Sequence, residues 1–504
     1  MRKLLMSLMA IFAFQGLQSQ VVQLEGPRFG LSFISDGSTA QMLERKFDMD
    51  SAAFAMDPNG ASLTTQYGWQ WEKRFADNGG DVVGLVEWVV MVAGMEKGMF
   101  LPSLTTMVGV RGKSGFEFGT GPNTQKVELV TLVKDAVFIY PNKDANGVVE
   151  TLIFDVDGDG VDDETNVQGR FLEDSELTLN NEKPYVIYGY AAVAGGKTLD
   201  INPGARIHFH ANSGLLITEN ASLHINGLPS LDAEILENEI IIQGDRLEPL
   251  YEDIPGQWEA IWLLNGSIDN SINHATIKNG TIGILSDGNQ DNPTKLTITN
   301  SQIYNSSNFG ILGRGSSINA ENVVLNISGI SSFAGTYGGN YNFTHSTIAN
   351  YWSNSFRQFP ALLLNNFIID AENTIFTNPL ESANFTNCII YGNDNPELLL
   401  EKEPSDMFNF KFTNSLIYFD DPSGYFSEPQ YDFSNTDHYE NVIFNNDPGF
   451  LDPSINQLNI PIGSPAEGAG ISYGNLNVDI TNTTRTSPPD LGAYNAKIIL
   501  AQVK

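Results

Sequence analysis

Between His274 and Asn445 one short phrase occurs seven times: a polar residue, two spacers, an aliphatic or β-branched residue, one spacer, then usually Asn. The copies are HATIKN (274–279), NSQIYN (300–305), ENVVLN (321–326), HSTIAN (345–350), NCIIYG (387–392), NSLIYF (414–419) and ENVIFN (440–445). Their fourth positions, Ile277, Ile303, Val324, Ile348, Ile390, Ile417 and Ile443, lie 26, 21, 24, 42, 27 and 26 residues apart. A period in the low twenties built on short β-branched segments means one structural unit stacked on copies of itself. The 42-residue gap has room for two such units.

The fold this predicts is all-β: a parallel β-helix over residues 196–460 in which the fourth-position side chains form one inward column. Each gains roughly 1.5–3 kcal/mol on burial, enough to override local propensity. The terminal Asn tolerates the left-handed conformation of a turn. Asn279, Asn305, Asn326, Asn350 and Asn445 are therefore expected as a ladder of side-chain amides, each bonded to the next coil for about 1 kcal/mol. His274 and His345 occupy the first column of the phrase, where a ladder role is also expected. Cys388 falls inside a strand phrase and should be a buried thiol rather than a nucleophile.

At 504 residues the chain is too long for one compact core. Its net charge of −33 repels polyanions and excludes nucleic acid as a partner. Anionic lipid is disfavoured for the same reason. The Gly-rich runs follow no strand–loop–helix pattern, so no nucleotide site is expected. Residues 1–19 read as a signal peptide: Arg2 and Lys3, then an apolar run from Leu4 to Phe14 too short to span a bilayer. The single cysteine, Cys388, excludes intrachain disulfides, and no cysteine near the start offers a lipid anchor. Sequons such as Asn279-Gly-Thr and Asn342-Phe-Thr are read as ladder positions.

Residues 20–123 have a different texture. Alternating stretches at Phe29–Ile34, Tyr67–Phe75, Val82–Val90, Met99–Val110 and Phe116–Gly119 predict an antiparallel β segment of about five strands. In Tyr67-Gly-Trp69-Gln-Trp71 the aromatics share one strand face. The phrases GPRFG (26–30), YGWQWEKRF (67–75), GMFLPSL (98–104) and GFEFGTGPN (115–123) resemble a small secreted or outer-membrane β protein of Flavobacteria. A closed membrane barrel needs roughly eight strands or more, so this piece alone should not make a pore, and any membrane association runs through it. The texture changes at Thr124, where a gene fusion or a chimeric gene model would place its join. VELVTLV (127–133) and AVFIYP (136–141) read like the end of an immunoglobulin-like sandwich, within a β connector over 124–195. After Phe450 the repeats fade into SPAEGAG (464–470), DITNTTRT (479–486) and PDLGAY (489–494), expected as the terminal cap over 461–504.

The connector carries DVDGDGVDDETN (155–166). Asp155, Asp157, Asp159 and Asp163 at loop positions 1, 3, 5 and 9, with Gly160 at position 6, match the spacing of an EF-hand-type calcium loop. The Val161 carbonyl fills position 7, and Asn166 stands where the bidentate Glu belongs, so weak Ca2+ binding is expected; a solvated acidic turn is the alternative. His208 and His210 alternate in ARIHFHAN (205–212) without a third ligand at metal spacing, which favours a stacked or surface pair.

The phrases at 256–280, GGNYNFTHSTIANYW (338–352) and NFTNCIIYGNDNPELLLE (384–401) resemble a family of secreted flavobacterial right-handed β-helix proteins. The tail is similar to the C-terminal segment of many bacterial surface β-helix proteins, with its SPA…G…D…R…PDLGAY pattern. Over about residues 124–496 the resemblance implies a right-handed β-helix exported to the outside or outer surface of a Gram-negative bacterium, and no chemistry that transfers residue by residue. The function it supports is a non-catalytic scaffold binding a glycan or a surface protein. Trp258, Trp262, Tyr337, Tyr341 and Trp352 are either sugar-stacking or core residues. The rival is a polysaccharide lyase or glycoside hydrolase. Hydrolysis needs paired carboxylates, and Asp420-Asp421 is followed at once by Pro422. A lyase needs a base, for which Arg314 and Arg357 are the candidates, with no acidic cluster nearby in sequence.

Overall fold

The computed structural model describes residues 26–34, 62–76, 82–93, 101–112, 117–120, 123–125, 133, 135–143, 148–154, 163–232, 235–288, 294–370, 373–474 and 476–498. The chain is all-β and divides into two compact units between residues 129 and 130.

The first unit is an antiparallel sheet of β1 (Gly26–Ile34), β2 (Ser62–Ala76), β3 (Val82–Ala93), β4 (Leu101–Gly112), β5 (Glu117–Thr120) and β6 (Asn123–Gln125). β1 to β5 pair in sequence order, and β6 returns to the free part of β4. These are the five expected strands plus one. Tyr67, Trp69 and Trp71 do share a face, and that face is exposed.

The second unit is built on two large parallel sheets of 11 and 18 strands among the described residues. Each repeat contributes one strand to the first sheet and a bent pair of strands to the second. One such path runs through Ala275–Lys278, Ile282–Asp287 and Leu296–Thr299, then begins again at Gln302–Ser306. Parallel pairing starts earlier than expected. β7 (Val137–Ile139) pairs in parallel with Tyr185–Ile187, so 136–141 is the first strand of the stack and not the end of a sandwich. β8 (Thr151–Phe154) and β9 (Asp163–Phe171) form an antiparallel hairpin that enters the stack where β9 meets Tyr190–Ala192.

The column is real, with a shift at two copies. Register joins Ile277 to Ile303, Ile303 to Leu325, Leu325 to Ile348, Ile348 to Ile390, Ile390 to Ile417 and Ile417 to Phe444. Val324 and Ile443 face outward, one residue from the inward position. The left-handed residue that opens each copy explains this. His274, Asn300, His345, Asn387 and Asn414 have φ of 45, 49, 48, 56 and 46°, whereas the third and seventh copies place it at Asn322 (54°) and Asn441 (53°). Every side chain of this column lies three residues after that turn, and a second inward set lies two before it. This second set is Ile272, Ile298, Ala320, Phe343, Phe385, Phe412 and Tyr439. Its aromatic members stack, with centroids 5.4 Å apart for Phe343–Phe385, 4.9 Å for Phe385–Phe412 and 5.7 Å for Phe412–Tyr439.

The amide ladder sits at the start of the phrase and not at its end. Asn322 Nδ2 donates to Asn300 Oδ1 at 3.0 Å, Asn387 Nδ2 to His345 Nε2 at 2.9 Å, and Asn441 Nδ2 to Asn414 Oδ1 at 3.5 Å. The terminal asparagines bond to backbone instead: Asn279 donates to the Glu252 and Ile254 carbonyls, and Asn350 both accepts from and donates to Ser328. Asn326 and Asn445 accept from the amides of Tyr351 and Phe419. A main-chain partner one coil away gives each of these side chains a fixed target that a second mobile amide does not. The 42-residue gap holds one coil, because Thr347–Asn350 pairs directly with Ile389–Gly392. Its surplus length is a loop over 351–361 and an antiparallel hairpin of Phe367–Ile369 with Ile375–Thr377.

The tail covers a side of the stack. Leu458, Ile460, Ala466, Leu491 and Ala493 pack on the outward Val324, Ala349, Ile389 and Leu416 of the 11-stranded sheet. The last cross-section is closed instead by Phe426, Tyr431 and Phe433 over Phe419, Tyr439 and Phe444. Outward apolar residues at Val324 and Ile389 would meet water without the tail, which is why it lies there.

Candidate functional site on the lateral face

On one lateral face neighbouring coils bring together polar side chains far apart in sequence. Asp287 ends its strand, and parallel register sets it beside Arg314. Arg314 Nε and Nη2 donate to the two carboxylate oxygens at 2.6 Å each. Trp262 Nε1 adds a third bond, to Oδ2 at 2.7 Å. Phe154, the last residue of β8, packs edge-on against Trp262 with centroids 6.3 Å apart. Beneath lies Lys295, fully buried, whose Nζ donates to the carbonyls of Leu264 and Asp287. Burial pushes its pKa down to about 7, against the pull of Asp287.

This geometry bears on Arg314 as a candidate base. Burial lowers its pKa, but the attraction of Asp287 and the bonds to its carboxylate prevail, and the net shift is upward. Two of its donors are taken by one carboxylate, an arrangement that disfavours proton abstraction. Arg357 is further still from that role. It is 2% exposed, and Nη1 and Nη2 bond Glu397, itself 0% exposed, at 2.8 and 2.6 Å. The amides of Ala361 and Asp394 complete the shell around Glu397 at 2.7 and 2.9 Å. Burial raises the Glu397 carboxyl, and Arg357 and these amides act against it. The acidic partners missing from the local sequence arrive by stacking: Asp287 is 27 residues from Arg314 and Glu397 is 40 from Arg357.

The other expected residues fall as follows. His208 is buried, with Nδ1 3.3 Å from the Gly244 carbonyl, and that burial lowers its pKa. His210 is exposed, pairs with Asp245 at 2.8 Å and stacks on Tyr188. The two histidines have separate partners. Trp258 and Tyr341 are core residues, Trp258 stacked on Phe209 at 4.7 Å. Trp352 is buried as well, with Nε1 bonded to Ser355. Cys388 is a buried thiol, as expected. It occupies the column that holds Ser301, Ser346 and Ser415 in other copies, bonds the Phe343 and Thr386 carbonyls, and has its pKa pushed up to about 12 by burial. Asp420 and Asp421 lie in a loop, where Asp421 caps the Tyr425 and Phe426 amides.

The calcium-loop reading rests on residues outside the description. Asp155, Asp157, Asp159 and Val161 are among them, and Asp163 and Asn166 are described only as backbone of β9. Phe154 pairs with Asp163, so the hairpin brings the ends of this loop together. Among the described residues no group of three or more His, Cys, Asp or Glu converges as a metal site would. The best-formed hollows there are open to solvent, one lined by Val148, Val149, Glu150, Thr151 and Ile153 and one by Glu321, Tyr473, Gly474 and Leu476.

Asp287, Lys295 and Trp262 were not legible as a cluster in the sequence. The signal was there in principle: once the second-sheet strands are aligned coil by coil, Asp287 and Arg314 share a register position. No family model, curated protein or solved structure matches the chain.

Proposed function

We propose that this chain is an exported right-handed parallel β-helix that serves as a rigid, non-catalytic scaffold, secreted or held at the surface of a Gram-negative bacterium, with a lateral face for a glycan or a surface protein. The observation that carries the reading is the fate of the two lateral arginines. Arg314 and Arg357 are each closed by a bidentate carboxylate from another coil, which fits cross-bracing and opposes proton abstraction. The bonds of Asn322 to Asn300, of the Ala275 amide to Ser301 and of Arg485 in the tail to Asn322 use polar side chains in the same way, to hold neighbouring segments together. The purified protein should leave acidic and neutral polysaccharides intact while being retained on a subset of immobilised glycans. Release of unsaturated uronates or new reducing ends would make it a lyase or hydrolase instead.

The loop at 155–166 fits weak calcium binding in this proposal, with a structural role. The paired strands β8 and β9 hold its two ends together, and Phe154 ties the hairpin to Trp262. Calorimetry should show heat at millimolar calcium that Asp157→Ala abolishes. Equal heats from both proteins would remove the site.

A further inference from the structure

The antiparallel sheet of the first unit turns aromatic side chains outward on one face, while the other face buries carboxylates beside aliphatic residues. Along β2, Tyr67, Trp69 and Trp71 are 49, 46 and 44% exposed, while Gln70 and Glu72 are 4 and 3% exposed. β3 continues the outward apolar face with exposed Trp88 and Val90, while Leu85, Glu87 and Val89 are buried, and β4 adds exposed Val108 and Val110. Register makes each set continuous. Trp69 lies opposite Val90, Trp71 opposite Trp88 and Val86 opposite Val108, whereas Glu72 lies opposite Glu87 on the reverse face. There Gln70 Nε2 donates to Glu87 Oε1 at 2.5 Å. An antiparallel sheet in water packs its apolar face on the core and leaves the polar face solvated. A contiguous aromatic and aliphatic face turned outward needs something other than water against it.

We propose that this face contacts the hydrocarbon of a lipid bilayer. Strand length argues for that occupant: β2, β3 and β4 have 15, 12 and 12 residues. At roughly 3.3 Å per residue each reaches about 40 Å or more, against a hydrocarbon core of about 30 Å. Tryptophan and tyrosine are the side chains that settle at the boundary of such a core. The strands themselves are nearly balanced, with Arg28, Lys73, Arg74 and Arg111 against Glu72, Glu87 and Glu117, so a zwitterionic lipid is the probe to use. This contact is independent of the scaffold reading and stands or falls without it.

The test is flotation of the full chain with phosphatidylcholine vesicles, together with quenching of its tryptophans by brominated phosphatidylcholine. Three of the six tryptophans, Trp69, Trp71 and Trp88, lie in the sheet, so the wild type should float and lose up to about half its emission. Trp71→Glu with Trp88→Glu should stay at the bottom of the gradient, while Phe356→Ser, altered at an exposed position of the second unit, should float like the wild type. Quenching of the wild type needs no variant to fold. A wild type that neither floats nor is quenched overturns the proposal. So does one that never floats but sediments as a dimer that the double variant separates, which would make a second copy the occupant.

Discussion

Arg485 Nη2 donates to Asn322 Oδ1 at 2.7 Å, across 163 residues of sequence. Asn322 is a rung of the amide ladder, so the tail is fastened to the element that sets the register of the stack. The same guanidinium bonds the Val478 and Gly492 carbonyls at 3.2 and 3.1 Å, and Asp479 and Asp490 tie the flanking turns through amides of Thr481, Thr483, Asn495, Gly468 and Ala496. Gly492 has φ of 80°, a Cβ there would come within 2.6 Å of Thr347 Oγ1, and its amide donates to the Asn387 carbonyl. The conspicuous D…R…PDLGAY pattern is thus a set of knots. Arg485→Ala should cost roughly 2–4 kcal/mol by leaving Asn322 and several carbonyls without a donor. Arg485→Lys should rescue little, since an ammonium cannot span these acceptors. Denaturant unfolding and early proteolytic release of the tail would measure both.

His345 is 1% exposed, and its Nε2 accepts from Asn387. Burial first, then the nearby Arg485 cation, lowers its pKa from 6.5 to about 3. The folded state therefore favours the neutral ring. That stability is complete above about 6.5 and is lost as the pH falls from there toward 3. Asn fills this left-handed position in other copies, so His345→Asn should fold and should flatten the acid limb of stability by a few kcal/mol. Urea midpoints measured from neutral pH down to pH ~4 would show the two curves converging or crossing.

Leu325 and Val324 are neighbours with opposite duties. Leu325 fills the inward column and Val324 meets Leu458 and Ala493 of the tail. Leu325→Ala should destabilise by roughly 2–5 kcal/mol through lost burial and a cavity. Val324→Asp should instead loosen the tail, read as accelerated proteolysis beyond residue 450 with the stack intact. Reversed outcomes would restore the alignment that places Val324 inside.

Removing one member of the Arg357–Glu397 pair leaves a buried charge alone. Glu397→Gln or Arg357→Met should each cost roughly 3–5 kcal/mol, and the double variant less than their sum. Because Arg357 also bonds the Phe359 carbonyl and Asn393, the loop at 351–361 should lose amide-exchange protection first.

The sequence alone determined that the chain is all-β and that strands recur with a period near one coil, since a column of buried aliphatic side chains must repeat at the spacing of the backbone it lines. It also placed Cys388 inside and the aromatic alternation of β2 on one face, because period-two geometry is local. Which residue of ENVVLN points inward was not local information. It depends on where the left-handed turn falls, and Asn occupies two candidate positions there. Which asparagines face each other, which carboxylate closes on Arg314, and where the tail lies depend on contacts between coils. Only stacking converts a separation of 27 or 163 residues into a few ångströms.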